Sequence, residues 1–216
     1  MYENFTRIPP ADQQRILNAS IEEFAQHGYA QASTNTIVRQ AGIPKGTLFF
    51  FFGSKKGLYL YALDQAIERY KSAFQEVAEN PPADLFDRLL YHGRIRMEFA
   101  VREPQVYRLF YNAFVNAPDE IKAELQTRYA GYAAASMELV YKDLDRSPFR
   151  ADVPVEKAVE LVYLVLEGIY SRYLPRLQSL PPEQSLALIE QITGEVRQYF
   201  QMIQRGIYKQ QEKSTT

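Results

Sequence analysis

A chain of 216 residues, 46% of them hydrophobic, is long enough to bury a substantial core. The absence of cysteine excludes disulfides, thiolate metal sites and thiol nucleophiles, and two histidines leave little for imidazole chemistry. A net charge of -1 excludes a chain that is basic throughout, but the first 60 residues hold six Lys and Arg against four Asp and Glu, which turns that end toward polyanions.

The opening stretch MYENFTRIPPADQQ has no basic region followed by an apolar run, and no window approaches bilayer length. A cytoplasmic protein without a membrane partner is expected, so the glycosylation match at Asn4-Phe5-Thr6 carries no weight. Prolines punctuate the chain, and the intervals between them show helical rather than alternating periodicity. The predicted fold class is all-α.

Asp12 is expected to cap a first helix with Ile16, Leu17, Ser20, Ile21 and Phe24 on one face, ending at Gly28. A short helix from Ser33 to about Gln40 follows, capped by the serine hydroxyl. Gly42 then takes positive φ, and Pro44 opens the next helix at its first position. A longer helix runs from Ser54 to about Glu79, with Tyr59, Leu63, Ala66, Tyr70, Phe74 and Val77 at three- and four-residue steps. Helices at about 82–102, 104–116 and 118–144 come next, and no Gly/Ser linker marks an independent domain.

Two long helices close the chain, at about 154–177 and 182–208. Their stripes are Val155, Val159, Val162, Leu166, Ile169 and Tyr173, then Leu186, Ile189, Ile192, Val196, Phe200, Ile203 and Ile207. The pair is expected to fold back antiparallel and to meet its twin in a four-helix homodimer interface; the alternative is that both stripes pack on their own core. The polar tail KQQEKSTT is expected to fray.

Residues 33–52, STNTIVRQAGIPKGTLFFFF, have the layout of a helix-turn-helix unit whose second helix offers its N-terminal residues to the major groove. Ser33 places a hydroxyl and free N–H groups where a phosphate can sit, and Lys45 and Lys55 bracket the reading helix as phosphate partners. Gly46 costs about 1 kcal/mol inside a helix relative to alanine. Either a close approach to DNA offsets that cost, or the glycine relieves crowding with the preceding helix.

Four consecutive phenylalanines in a helix point about 100° apart and cannot share one core. Leu48 and Phe52 are assigned inward, against Ile37, Phe24 and Leu17. Phe49, Phe50 and Phe51 are left wholly or partly outward, suited to thymine methyl groups and sugar edges.

From Arg15 to Leu63, RILNASIEEFAQHGYAQASTNTIVRQAGIPKGTLFFFFGSKKGLYLYAL resembles the TetR family of bacterial transcriptional regulators in the order of its pieces: the first-helix FAQHGY, then AGI, KGTL and SKKGL. The resemblance covers roughly the first third of the chain. It implies a DNA-binding domain over residues 1–53 and a helical effector-binding and dimerisation domain over 54–210. It further implies a homodimer on a palindromic double-stranded operator, usually acting as a repressor, with a cavity for a small-molecule effector. Carried onto this chain, DNA contacts fall to Ser33, Lys45, Gly46, Thr47, Phe49, Phe50, Phe51 and Lys55. The family usually has tyrosine where Phe49 stands and often histidine or tyrosine where Phe51 stands, so phosphate hydrogen bonds are absent at both.

Aromatic residues are dense between Ala66 and Tyr173. Tyr70, Phe74, Phe99, Tyr107, Phe110, Phe114, Tyr129, Tyr163 and Tyr170 are candidates for an apolar or aromatic effector, with hydroxyls to orient it. Arg94, Arg96, Arg102 and Arg108 serve an anionic group or simply a solvated face. Catalysis has no constellation to rest on: His27 and His92 lack metal-ligand spacing, there is no glycine-rich phosphate loop, and Glu22-Glu23 and Asp143/Asp145 read as solvated helix faces. No cofactor or metal is expected. A helical protein-interaction module, with the exposed phenylalanines binding another protein, is the competing class.

Overall fold

The computed structural model describes residues 2–75, 80–115 and 119–209. Among them no strand occurs, and the helices are α1 (Glu3–Thr6), α2 (Pro10–Gln31), α3 (Thr34–Ala41), α4 (Lys45–Phe52), α5 (Lys55–Gln75), α6 (Leu85–Arg102), α7 (Pro104–Val115), α8 (Lys122–Tyr141, preceded by the 3-10 turn Asp119–Ile121), α9 (Val155–Ser179) and α10 (Pro182–Ile207). The all-α expectation holds. Val77 and Glu79, the helix ends placed at 116 and 118, and the tail from 210 lie outside the described residues.

Compactness divides the chain into two units, Met1–Ala73 with Glu103–Ala134 and Phe74–Arg102 with Ala135–Thr216. This grouping differs from the division expected at 53/54 because α7 packs on α2. Residues beyond 53 therefore share a core with the helices before them.

In the first unit, Asp12 is not the cap of the long N-terminal helix. Pro9 and Pro10 open α2, since the fixed φ and missing N–H of Pro10 suit the first helical position, and Asp12 instead pairs with Arg15 at 2.9 Å. Ahead of α2 lies the unanticipated short helix α1, which buries Phe5. The chain breaks helical geometry at Gly28 (φ 65°) as expected, although helix resumes to Gln31. Pro44 is the residue before α4 rather than its first, with extended ψ. Ile16, Phe24, Ile37, Ala41, Leu48 and Leu63 form the buried centre.

In the second unit α6, α9 and α10 pack on one another. The helix expected from 82 begins at Leu85, because Asp84 Oδ1 accepts from the N–H groups of Phe86 and Asp87. Arg88 is fully buried, its guanidinium donating to the carbonyls of Pro82, Val140, Lys142 and Asp143. It thereby satisfies carbonyls at the end of α8 that lack helical partners. The helix expected to reach 144 stops at Tyr141, and Asp143 takes a positive φ of 54° in the turn beyond it. Asp143 and Asp145 thus lie past the helix rather than on a helix face.

The central parts of the apolar stripes of the last two helices are interior to the protomer, while Leu186 at the start of the second stripe is exposed. Val159, Val162, Leu166 and Ile169 of α9, and Ile189, Ile192, Val196 and Phe200 of α10, are all buried without a second chain. The expectation that these stripes face a twin is corrected. Each helix needs its widest apolar face for its own bundle, and the large apolar side chains these helices leave exposed are Leu161, Leu164, Leu186, Tyr199 and Met202.

Candidate nucleic-acid interface

The interface is built from α3, the turn at Gly42 and α4. Ser33 stands before α3 in extended conformation and its Oγ accepts from the Thr36 N–H at 3.4 Å. Its own N–H donates to Glu23 Oε1 at 2.7 Å, so the N-terminus of α3 already faces a carboxylate, which the helix dipole favours. Glu23 is 5% exposed and also meets His27 Nδ1 at 3.4 Å, which corrects its assignment to a solvated face. The amide expected to be open at Ser33 is taken, and the hydroxyl proton is what that residue can offer outward.

Gly42 adopts the left-handed conformation (φ 64°), and the Ile43 N–H returns to the Val38 carbonyl at 3.1 Å. This closes α3 and turns the chain into α4. Leu48 and Phe52, one turn apart, are buried as expected. The ring partners of Phe52 are Tyr2, Phe5 and Tyr61, with centroids at 5.7, 4.8 and 5.3 Å, while Phe24 pairs with Tyr59 at 5.0 Å. Phe5 of α1 thus packs on the Phe52 ring, a partner that the sequence reading did not assign.

The remaining phenylalanines differ among themselves. Phe50 is 67% exposed, and Phe49 and Phe51 are half-buried. Phe51 rests edge-on against Phe5 at 5.6 Å, and Lys45 Nζ lies 5.9 Å from the centre of the Phe49 ring. Lys45 and Gly46 are exposed and Thr47 is half-buried. A Cβ at Gly46 would meet nothing within 4 Å, so crowding with the preceding helix does not explain that glycine.

Lys55 donates to the Ala30 carbonyl at 3.0 Å and lies 5.2 Å from the Tyr29 ring centre, which ties it to the end of α2. Lys56 pairs with Glu124 and Arg15 with Asp12. Lys45 and Arg39 are exposed and form no ion pair among the described residues. Arg39, in the last turn of α3, is a cation the sequence reading did not single out.

Two further residues support the interface without having been anticipated. The Tyr2 hydroxyl donates to the Gly57 carbonyl at 3.2 Å. At Gly57 a Cβ would stand 2.1 Å from the Phe52 carbonyl oxygen, so the start of α5 approaches the end of α4 as closely as only glycine permits. The signal for Gly57 was present in GSKKGLY, whereas a four-residue helix such as α1 has no periodicity to read.

The effector candidates fall into two groups. In the first unit Tyr70 stacks on Phe110 at 5.0 Å, Phe110 meets Phe114 at 5.1 Å and Tyr132 at 4.9 Å, and Phe114 meets Tyr129 at 5.1 Å. Tyr107 lies 6.2 Å from Tyr70, and Tyr129 is half exposed. In the second unit Phe74 meets His92 at 5.8 Å, Phe99 carries Arg102 over its ring, and Tyr170 carries Arg96, which also pairs with Glu167. A Cβ at Gly93 would fall 1.6 Å from the Tyr170 hydroxyl, and Tyr163 on α9 is half-buried.

The sequence profile of bacterial regulatory proteins of the tetR family matches residues 16–62. The HTH-type transcriptional activator FasR of Mycolicibacterium smegmatis is 29% identical over 145 residues, which are 66% of this chain and 65% of FasR. The chain thus spans slightly less than two thirds of that relative. The HTH-type transcriptional repressor AcnR of Corynebacterium efficiens is 24% identical over 174 residues, 78% of this chain and 83% of AcnR. In fold, a TetR family transcriptional regulator from Chloroflexus aurantiacus superposes with a TM-score of 0.69 at 22% identity, covering 96% of this chain and 98% of that one.

Proposed function

For a chain that belongs to the TetR family of transcriptional regulators, DNA-binding proteins that are not enzymes, we propose a cytoplasmic, ligand-responsive repressor that docks as a homodimer on a palindromic operator. The observation that carries this reading is the pairing of α3 and α4 through the left-handed Gly42, with Leu48 and Phe52 turned inward and Gly46 and Phe50 turned outward. Residues 1–53 are the reading head and 54–210 the effector and dimerisation part. Ser33, Lys45, Gly46, Thr47, Phe49, Phe50, Phe51 and Lys55 make the DNA contacts, with Arg39 added. Lys45 and Arg39 bring cations not spent on ion pairs among the described residues, and such cations supply the electrostatic term that dominates duplex affinity.

Dimerisation is proposed through α9 and α10, on the side carrying Leu161, Leu164 and Met202 rather than the buried stripes; Leu164 and Met202 are 64% and 63% exposed. A symmetric pair sets half-site spacing, so a small displacement of the reading heads disfavours simultaneous docking. An apolar or aromatic effector acting on the Tyr70, Phe110 and Phe114 group would shift the populations of such arrangements. Tyr107, Tyr129, Phe74, Phe99, Tyr163 and Tyr170 are the further candidates. Repression needs only occupancy of a site that the transcription machinery must use.

The test is selection of random duplexes by the purified protein at near-physiological salt, with light scattering to read its mass. An enriched inverted repeat bound by a dimer is expected. A folded dimer that enriches no motif, or a stable monomer, would remove the two-half-site reading.

A further inference from the structure

The reading helix α4 spells KGTLFFFF, so its side-chain hydrogen-bonding groups are Lys45 Nζ and Thr47 Oγ1, both in the first turn. Bidentate recognition of guanine takes Arg or Lys and that of adenine takes Asn or Gln. Beyond the first turn α4 has no polar side chain at all.

Successive helical residues turn by about 100°, so positions 46 and 50 lie opposite Leu48 and Phe52. Phe50 is accordingly 67% exposed, while Gly46 leaves open space around its Cα. Helical side chains lean toward the N-terminus, which directs a ring at 50 over the turn where Gly46 lacks a side chain. The ring is also supported from behind: Phe50 lies 5.8 Å from Phe51, Phe51 lies 5.6 Å from Phe5, and Phe5 is buried. A large apolar surface is thus held outward on the outermost ridge of the reading helix.

In the major groove the hydrocarbon feature of a base pair is the C5-methyl group of thymine. We propose that Phe50 is a specificity-determining residue that reads the C5-methyl of a pyrimidine in each half-site. A phenyl ring has no group that tells the thymine O4 acceptor from the cytosine N4 donor. The same position therefore accepts 5-methylcytosine in place of thymine, and an operator altered from T to C regains binding when that cytosine is methylated. This inference rests on the proposed DNA-binding function and goes beyond it by naming the chemical group that is read.

The experiment uses the full chain and its selected operator, with each half-site thymine replaced in turn by deoxyuridine, by cytosine and by 5-methylcytosine, each in a matched base pair. Binding is titrated at fixed salt for the wild type and for Phe50→Ala, whose exposed position leaves the fold intact. Burial of one methyl group corresponds to about fourfold in affinity. At one thymine, deoxyuridine should weaken binding about fourfold, cytosine at least as much, and 5-methylcytosine should restore it to within about twofold of thymine. Phe50→Ala should bind all four duplexes within about twofold. Equal binding of thymine and deoxyuridine at every position overturns the inference, as does a Phe50→Ala variant that keeps the discrimination or a selected site without thymine. Failure to bind any duplex sinks the DNA-binding reading itself, a result distinct from binding without methyl discrimination.

Discussion

Arg128 grips Asp64 through two hydrogen bonds, Nε to Oδ1 at 2.6 Å and Nη2 to Oδ2 at 2.9 Å, and so ties α8 to α5. The same seam continues at four-residue steps toward the start of α8, where Glu124 pairs with Lys56 and Glu120 accepts from the Tyr29 hydroxyl at 2.8 Å. Burial and the Glu120 hydrogen bond push the Tyr29 phenol up to about 12. Three polar ties therefore join α8 and the 3-10 turn before it to α5 and α2.

A double-mutant cycle on Asp64→Ala and Arg128→Ala should return a coupling of about 1 kcal/mol in urea unfolding, because a bidentate pair exceeds the usual exposed ion pair while partial exposure limits it. Additive single effects would show that the pair contributes nothing.

Phe5 fills the space between Phe51, Phe52 and Tyr61. Phe5→Ala should cost about 3–5 kcal/mol in chemical denaturation. At a temperature where the variant is still folded, operator affinity should also fall, since the support of α4 is lost. Unchanged affinity would mean that α1 stabilises the unit without positioning the reading helix.

Gly46 and Gly57 should respond to alanine in opposite ways. Gly46→Ala meets open space and should raise stability by up to about 1 kcal/mol while weakening operator binding. Gly57→Ala places a Cβ against the Phe52 carbonyl and should cost about 1–3 kcal/mol. Thermal unfolding of both variants, with binding measured for the first, decides the matter.

His92 lies beside Phe74 and Tyr91, and burial, assisted by the Arg88 charge, lowers its pKa to about 4 from the ordinary 6.5. The folded state therefore prefers the neutral imidazole. Its contribution is complete above pH 6.5 and is lost as pH falls toward 4, since the unfolded chain binds the proton more readily. The stability of His92→Gln should be flatter across that window than that of the wild type in denaturant titrations at several pH values. Equal slopes would place the acid sensitivity elsewhere.

Phe49→Tyr restores a hydroxyl that can donate to a phosphate oxygen, and Lys45 already stands over that ring. Operator binding should tighten about tenfold to a hundredfold, the value of about one hydrogen bond to a charged group. Unchanged or weaker binding at fixed salt would count against a phosphate facing position 49.

Local signals determined a good part of this protein from its sequence. Helical periodicity established the fold class, and Ser33, Gly42 and the inward pair Leu48 and Phe52 were readable because caps, left-handed turns and three- to four-residue spacing involve near neighbours. What depends on distant partners was settled only by tertiary packing. Phe5 seals Phe51 and Phe52 from across the first unit, and Glu23 is buried because the Ser33 amide reaches it. Arg88 is buried by carbonyls more than fifty residues away. The stripes of α9 and α10 show the limit most clearly: periodicity says that a face is apolar, but which surface covers it depends on how the helices of the protomer pack.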